Sequence, residues 1–298
     1  MKTSLKGTWK LKGAGFSCNA EIPGDFHSSL LKAKLIPDPY FKDNEQKVLF
    51  LNQADFTIEK NFVYKKIPET KAILEMTEAD TVFDLYINGK ICGSGRNQFV
   101  RHRFDITDKL KNGLNKIKII FYSAENEAQK ENQKLPYPVP YNKADVYSPN
   151  RNLIRKCQCH SGWDWGPALM VSGIYGDIFI ETVTTGLFNS IKLDFKNIKE
   201  IWKVKISLEF DSFINREKTF TFIISGPDIK EEIEIKKHFL NMGLNTSICD
   251  ITVSNPKIWK TASELLEEGL EENPIYYITV KYKDENDEEK IRQEIAYL

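Results

Sequence analysis

Unbroken alternation of apolar and polar residues is the feature that most limits what this chain can become. Trp202-Lys203-Val204-Lys205-Ile206-Ser207-Leu208-Glu209-Phe210 switches character at every position. A period of two puts all the apolar side chains on one face of an extended strand, which then has to be covered. The run Val82-Phe83-Asp84-Leu85-Tyr86-Ile87 leads into Asn88-Gly89, the dipeptide that reaches positive φ easily and closes two-residue hairpins. Segments 116–121 and 177–181 read the same way, and further strands are expected at 219–225, 230–236, 246–253, 276–283 and 291–298. Helical signals are few. Asp25 is placed to cap a short helix over 26–34, and 261–272 has helical composition with an acidic, solvated face.

Many short strands between turn residues, with no strand–helix alternation, point to stacked sheets. We therefore expect an all-β protein: a jelly-roll β-sandwich over 1–185, then an immunoglobulin-like β-sandwich over 186–298. One segment stands apart. Residues 123–134 are polar and are followed by Leu135-Pro136-Tyr137-Pro138-Val139-Pro140-Tyr141. The whole of 123–152 is expected as a long irregular loop, its second half stiffened by proline into an extended arm.

Charge removes several function classes. The 42 basic and 42 acidic side chains cancel, so there is no electrostatic reason for nucleic acid or an anionic membrane as partner. No run of ~18 apolar residues offers a membrane span, and the polar start predicts no secretory signal. The cysteines, at 18, 92, 157, 159 and 249, are odd in number and form no disulfide framework by spacing. Reduced thiols and a cytoplasmic setting are expected. In Cys157-Gln158-Cys159-His160 one residue between the cysteines is too few for a zinc knuckle, and no second Cys/His pair lies nearby. Strand thiols alternating between two faces are expected there, with no metal and no cofactor.

The segment Gly162-Trp163-Asp164-Trp165-Gly166-Pro167 sets two indoles around one carboxylate, between glycines that permit a sharp bend. A carboxylate accepts charge-assisted hydrogen bonds from sugar hydroxyls, and an indole gives an apolar platform for a pyranose ring. From these residues alone two readings stand: a sugar site, or two core tryptophans with Asp164 paired to Arg155 or capping the turn.

Motifs elsewhere favour the first. Ile154-Arg155-Lys156 through Trp163-Asp164-Trp165-Gly166-Pro167 resembles the segment that marks β-mannosidases of glycoside hydrolase family 2. Ile22-Pro23-Gly24-Asp25-Phe26-His27, Leu35-Ile36-Pro37-Asp38-Pro39-Tyr40, Ala79-Asp80-Thr81-Val82, Ile87-Asn88-Gly89 and Phe104-Asp105-Ile106-Thr107 follow in the family's order. Departures include Asp55-Phe56 where a tryptophan is usual, Gln98 where methionine is common, and Lys260-Thr261 after Trp259. The resemblance implies a galactose-binding-like jelly roll followed by an immunoglobulin-like domain. It further implies a retaining exo-hydrolase of terminal β-D-mannose, with two glutamates on a (β/α)₈ barrel working through a covalent glycosyl-enzyme. Carried over, Asp164 becomes the sugar-hydroxyl ligand, Trp163 a wall of the −1 subsite with Trp165 beside it, and Arg155 a support. The implied partners are a β-mannoside oligosaccharide and the catalytic barrel. A barrel needs about 250 residues, so this chain is expected to hold no catalytic residue and to be inactive alone. The alternative is a stand-alone carbohydrate-binding module.

Overall fold

The computed structural model describes residues 2–141, 147–163, 166–198, 201–227, 229 and 232–296. The chain divides into two compact units, Met1–Thr182 and Val183–Leu298. Among the described residues no helix is long and apolar enough to cross a membrane.

In the first unit a six-stranded antiparallel sheet runs, in spatial order, Phe16–Ile22, Gly7–Gly13, Phe56–Tyr64, Gly113–Phe121, Phe83–Ile87 and Lys90–Gly95. A four-stranded sheet holds Lys2–Ser4, Ile178–Val183, Lys71–Met76 and His102–Asp105. The hairpin at Asn88-Gly89 forms as expected, both residues at positive φ (52° and 81°). Inward-facing alternate residues make one core with Trp9, Phe26, Phe56, Phe83 and Phe121 at its centre. The rings of Phe26 and Phe121 meet edge to face at 5.2 Å, a favoured aromatic geometry. Asp25 caps the helix Phe26–Lys32, its Oδ1 accepting the Ser28 N–H at 2.7 Å, so Phe26 and Leu30 are carried into that core.

The second unit stacks three strands, Gly186–Ile198, Ile201–Ser212 and Gly243–Ser254, with a four-stranded sheet in the order Glu232–Leu240, Arg216–Ser225, Tyr276–Lys283, Glu289–Ala296. Three-plus-four antiparallel strands are the immunoglobulin-like arrangement. Phe210, Phe220 and Tyr282 pack within 5.1–5.5 Å of one another in its core. The helix Ala262–Glu267 starts with a capping box of Thr261 and Glu264 and buries none of its residues, in keeping with a solvated acidic face. It is shorter than its composition implies. Gly269, at φ 67°, turns the chain out of the helix.

One turn is built identically in both units. Before Gly113–Phe121, Asn115 Oδ1 accepts the Lys111 N–H at 2.8 Å, and its amide donates to Lys111 O and Gly113 O. Before Gly243–Ser254, Asn245 Oδ1 accepts the Asn241 N–H at 2.9 Å, and its amide donates to Asn241 O and Gly243 O. In each case a Gly-Leu-Asn run starts the strand, and the buried asparagine satisfies backbone groups the turn would leave unpaired.

The expectation of an irregular loop from 123 is corrected. Ala124–Gln133 is a helix, with Ser123 Oγ accepting the Asn126 N–H at 3.1 Å. Its inward face is only Ala124, Glu127 and Ala128, too little apolar mass for a 3.6-residue period to show in the sequence. Asp55 also secures its start, Oδ1 accepting the Ser123 N–H at 2.8 Å. A small core of Val82, Ala124, Ala128, Ile154 and Met170 ties this helix to the segments that flank the Trp163 turn. Residues 135–141 are irregular, and Tyr137 is exposed.

Candidate functional site

Three two-residue strands, Gly24–Asp25, Gly173–Ile174 and Ala79–Asp80, form a small sheet in the first unit. Gly173 stands opposite both Asp25 and Asp80. A Cβ at that position would lie 2.2 Å from the Gly24 carbonyl oxygen, so only glycine lets the three segments close up. This junction brings residues far apart in sequence to one place.

At its centre lies the buried Asp80 carboxylate. Lys156 Nζ donates to Asp80 Oδ2 at 2.5 Å, Tyr175 Oη donates to the same oxygen at 2.9 Å, and Thr81 Oγ1 donates to Oδ1. Lys156 also donates to Val171 O. The Lys156 and Asp80 side chains are 3% and 0% exposed, so each charge depends on the other. Burial pushes the Asp80 carboxyl up, but the adjacent His160 imidazole and the Lys156 ammonium outweigh it and hold the group below its ordinary range. Burial, with the charge and hydrogen bond of Asp80, pushes the Tyr175 hydroxyl far above its ordinary value. Next to this group His27 is buried, and among the described residues neither ring nitrogen has a hydrogen-bond partner. Burial, with Lys156 and His160 adding to it against the pull of Asp25, lowers its pKa to about 4.

The network anchors the segment that carries the sequence-identified residues. Arg155 bridges to Asn97, and its carbonyl accepts the Gln98 N–H at 2.9 Å. Gln98 Oε1 in turn accepts the Cys157 N–H at 2.9 Å. The Arg155 side chain is exposed, and among the described residues no carboxylate pairs with it. Cys157 and Cys159 do not alternate on a strand, which corrects that expectation. Gln158–Ser161 is a turn of 3₁₀ helix, and the two sulfurs stand 3.2 Å apart on one side. Pairing of residues 147 and 148 with Ser161 folds the chain back before a strand can extend.

Beyond the 3₁₀ turn, Gly162 at φ 97° redirects the backbone. Trp163 and Gly166 bridge each other, the Gly166 N–H donating to Trp163 O at 2.5 Å. Trp163 is 62% exposed; it is not a core residue. Asp164 and Trp165 lie outside the described residues. The chain leaving the turn is held by Asn52, whose amide donates to Ala168 O at 2.8 Å and whose Oδ1 accepts the Met170 N–H at 2.9 Å. Glu45 Oε1 accepts the Ala168 N–H at 2.8 Å. Trp163 itself is exposed, and the segments on either side of the turn are held by these hydrogen bonds.

A cleft of about 540 Å³ opens beside it, with Trp163, Tyr40, His160 and Tyr175 on its walls and Leu31, Ile36 and Leu169 giving apolar surface. An exposed aromatic ring thus stands next to apolar surface and a few polar groups. A second cleft of about 590 Å³ includes Asp84, Arg96 and Glu127, but its charges already pair: Arg96 with Glu127 at 3.5 Å, and Tyr122 with Asp84 at 2.8 Å. The sequence pointed to Trp163 and Arg155 but not to His27, Asn52, Asp80 or Tyr175 as supports. The available signal was a lysine, Lys156, two positions after Ile154, and an aspartate inside Ala79-Asp80-Thr81-Val82.

Residues 9–176 match the family described as glycosyl hydrolase 2 galactose-binding domain-like. A probable β-mannosidase of Caenorhabditis elegans is 26% identical over 97% of this chain and 33% of its own length. The β-mannosidase of Capra hircus is 31% identical over 76% of this chain and 27% of its own length. Among solved structures, the β-D-mannosidase of Dictyoglomus thermophilum superposes with a TM-score of 0.87 at 25% identity, covering 100% of this chain and 36% of that one. An exo-chitosanase of Amycolatopsis orientalis shares the fold, with a TM-score of 0.67 at 11% identity, covering 100% of this chain and 33% of that one. The 298 residues thus span about a third of the length of the curated relatives they match. Two β-sandwiches in this order, and a family match over most of the first, lead to one conclusion: the chain belongs to glycoside hydrolase family 2, through that family's galactose-binding-like domain.

Proposed function

We propose that this chain is the substrate-recognition front of a β-mannosidase-like retaining exo-glycosidase acting on terminal, non-reducing β-D-mannose. In this reading 1–185 is the sugar-facing domain and 186–298 the immunoglobulin-like domain. The catalytic glutamates come from a (β/α)₈ barrel. Trp163 walls the −1 subsite, Asp164 accepts hydrogen bonds from mannose hydroxyls, Trp165 adds apolar surface and Arg155 supports the loop. The observation that carries the reading is Trp163: a 62% exposed indole on a turn braced by Asn52, Glu45 and the Asp80–Lys156 pair. An exposed indole on a fixed turn offers an apolar face on which a pyranose ring can stack. Five free cysteines fit a reducing compartment, and we place the activity in the cytoplasm.

The test substitutes residues 1–298 for the matching 36% of the Dictyoglomus thermophilum β-D-mannosidase. The chimera should hydrolyse an aryl β-mannoside, and Trp163→Ala or Asp164→Asn should lower kcat/KM by about 100-fold or more, since loss of substrate positioning has effects of that size. Full activity in both variants would overturn the assignment. The 298-residue chain alone should show no turnover and bind mannobiose more weakly than about 1 mM, because a lone wall buries little of the sugar. A tighter Kd would favour the alternative, a stand-alone carbohydrate-binding module.

A further inference from the structure

Just before the Trp163 turn, three metal-ligating side chains converge. Cys157, Cys159 and His160 each bring one donor atom within 4.8 Å of the other two. The local backbone explains how. Gln158–Ser161 is a single 3₁₀ turn, closed by the His160 N–H to Cys157 O at 3.2 Å and the Gly162 N–H to Cys159 O at 3.1 Å. With three residues per turn, positions i and i+3 eclipse, so Cys157 and His160 share one side. A spacing too short for a zinc knuckle on a hairpin is drawn together here by a 3₁₀ turn, with the histidine as the third donor.

The imidazole is also backed. Among the described residues His160 Nδ1 is buried without a hydrogen bond within normal geometry, and it lies 3.5 Å from Asp80 Oδ2. Coordination through Nε2 leaves Nδ1–H to donate to that carboxylate, the arrangement that fixes tautomer and ring orientation in metal sites. Asp80 is engaged by Lys156 and Tyr175, which makes it a support and not a ligand. Two thiolates and an imidazole form a soft-to-borderline set, matched to Zn²⁺ or Cu⁺ and poorly matched to Mg²⁺ or Ca²⁺. Bonds of about 2.3 Å to a tetrahedral zinc put the sulfurs roughly 3.8 Å apart. From their present 3.2 Å a small side-chain rotation suffices.

We propose that Cys157, Cys159 and His160 form a three-ligand site for a thiophilic d¹⁰ cation, with the fourth position open to water, on the wall of the cleft that Trp163 borders. Binding releases the two thiol protons to solvent as the two metal–sulfur bonds form. A bound ion cross-links the turn that leads into Gly162 and Trp163, and so stiffens the exposed loop from its N-terminal side. The site stands on this chain's own side chains, whatever the fate of the sugar assignment.

The experiment uses the 298-residue chain, reduced and freed of metal with a chelator. Titration with Co²⁺ should give thiolate-to-cobalt charge-transfer and tetrahedral ligand-field bands that saturate at one equivalent and bleach with Zn²⁺. A parallel anaerobic titration with Cu⁺ against a chromophoric competitor distinguishes the two cations. Cys157→Ser should weaken Co²⁺ binding by about 100-fold or more, beyond the 10–100-fold typical of losing an outer-shell partner, with the circular dichroism spectrum and melting curve unchanged. Cys92→Ser should leave the titration as it is. Absence of the charge-transfer band together with no Cu⁺ uptake would overturn the proposal, as would a band that survives in Cys157→Ser. So would a Cys157–Cys159 disulfide persisting by mass in the reduced, chelated protein, which would identify a redox pair instead.

Discussion

Acid should destabilise the first unit through His27, and replacing that residue should remove the sensitivity. His27 is buried with both ring nitrogens unpartnered among the described residues, and its pKa falls from 6.5 to about 4. Burial is the main cause, opposed by Asp25 and assisted by Lys156 and His160. Above pH 6.5 both folded and unfolded chains carry a neutral imidazole. Between 6.5 and 4 only the unfolded chain takes the proton, so stability falls as pH falls, by up to about 1.4 kcal/mol per pH unit. Below 4 both states are protonated and the contribution levels off. A depression of about 2.5 units integrates to about 3 kcal/mol, a large share of the stability of an ordinary domain. The assay is urea unfolding at pH 7, 6, 5 and 4, followed by peptide-resolved hydrogen exchange so that the two units are read separately. His27→Gln should flatten the loss between pH 7 and 4 by about 3 kcal/mol relative to the parent, and His27→Leu should do the same. Parallel pH dependences in parent and both variants would refute the reasoning, and so would a His27 Cε1–H resonance that titrates near 6.5.

Lys156→Met should destabilise the first unit by about 3–5 kcal/mol, because it strands the buried Asp80 carboxylate. Chemical denaturation of Lys156→Met and of the double variant with Asp80→Asn checks this: most of the loss should return in the double variant, and equal losses in both would mean that packing, not charge, holds the junction. Asn115→Ala and Asn245→Ala should each cost about 2–3 kcal/mol, since several hydrogen bonds to turn backbone disappear together. Each loss should appear only in the exchange protection of its own unit; a cost below about 0.5 kcal/mol in either would leave those turns without the role assigned here.

Alternation at every position from Trp202 to Phe210 determined, by itself, a strand with one buried face, and the same pattern elsewhere determined two all-β sandwiches. The hairpin at Asn88-Gly89 and the cap at Asp25 were equally legible, because turn and cap chemistry is local: the residues that decide it lie within three or four positions of each other. The helix Ala124–Gln133 was not legible, since its stabilising face is two alanines and a paired glutamate, which carry almost no hydrophobic signal. The motifs named Trp163 and Arg155 as site residues, yet only the tertiary structure showed an exposed Trp163 on a braced turn and an Arg155 whose backbone, bridged to Asn97 and Gln98, does the positioning. Nor could spacing reveal the Asp80–Lys156 and Asp80–Tyr175 contacts, which join residues 76 and 95 positions apart. A buried charge is recognised by what surrounds it, and its surroundings come from strands that meet only after folding. The same holds for Cys157, Cys159 and His160: their order in the chain fixes which donors are present, while the 3₁₀ turn and the carboxylate behind the ring decide whether those donors point at one another.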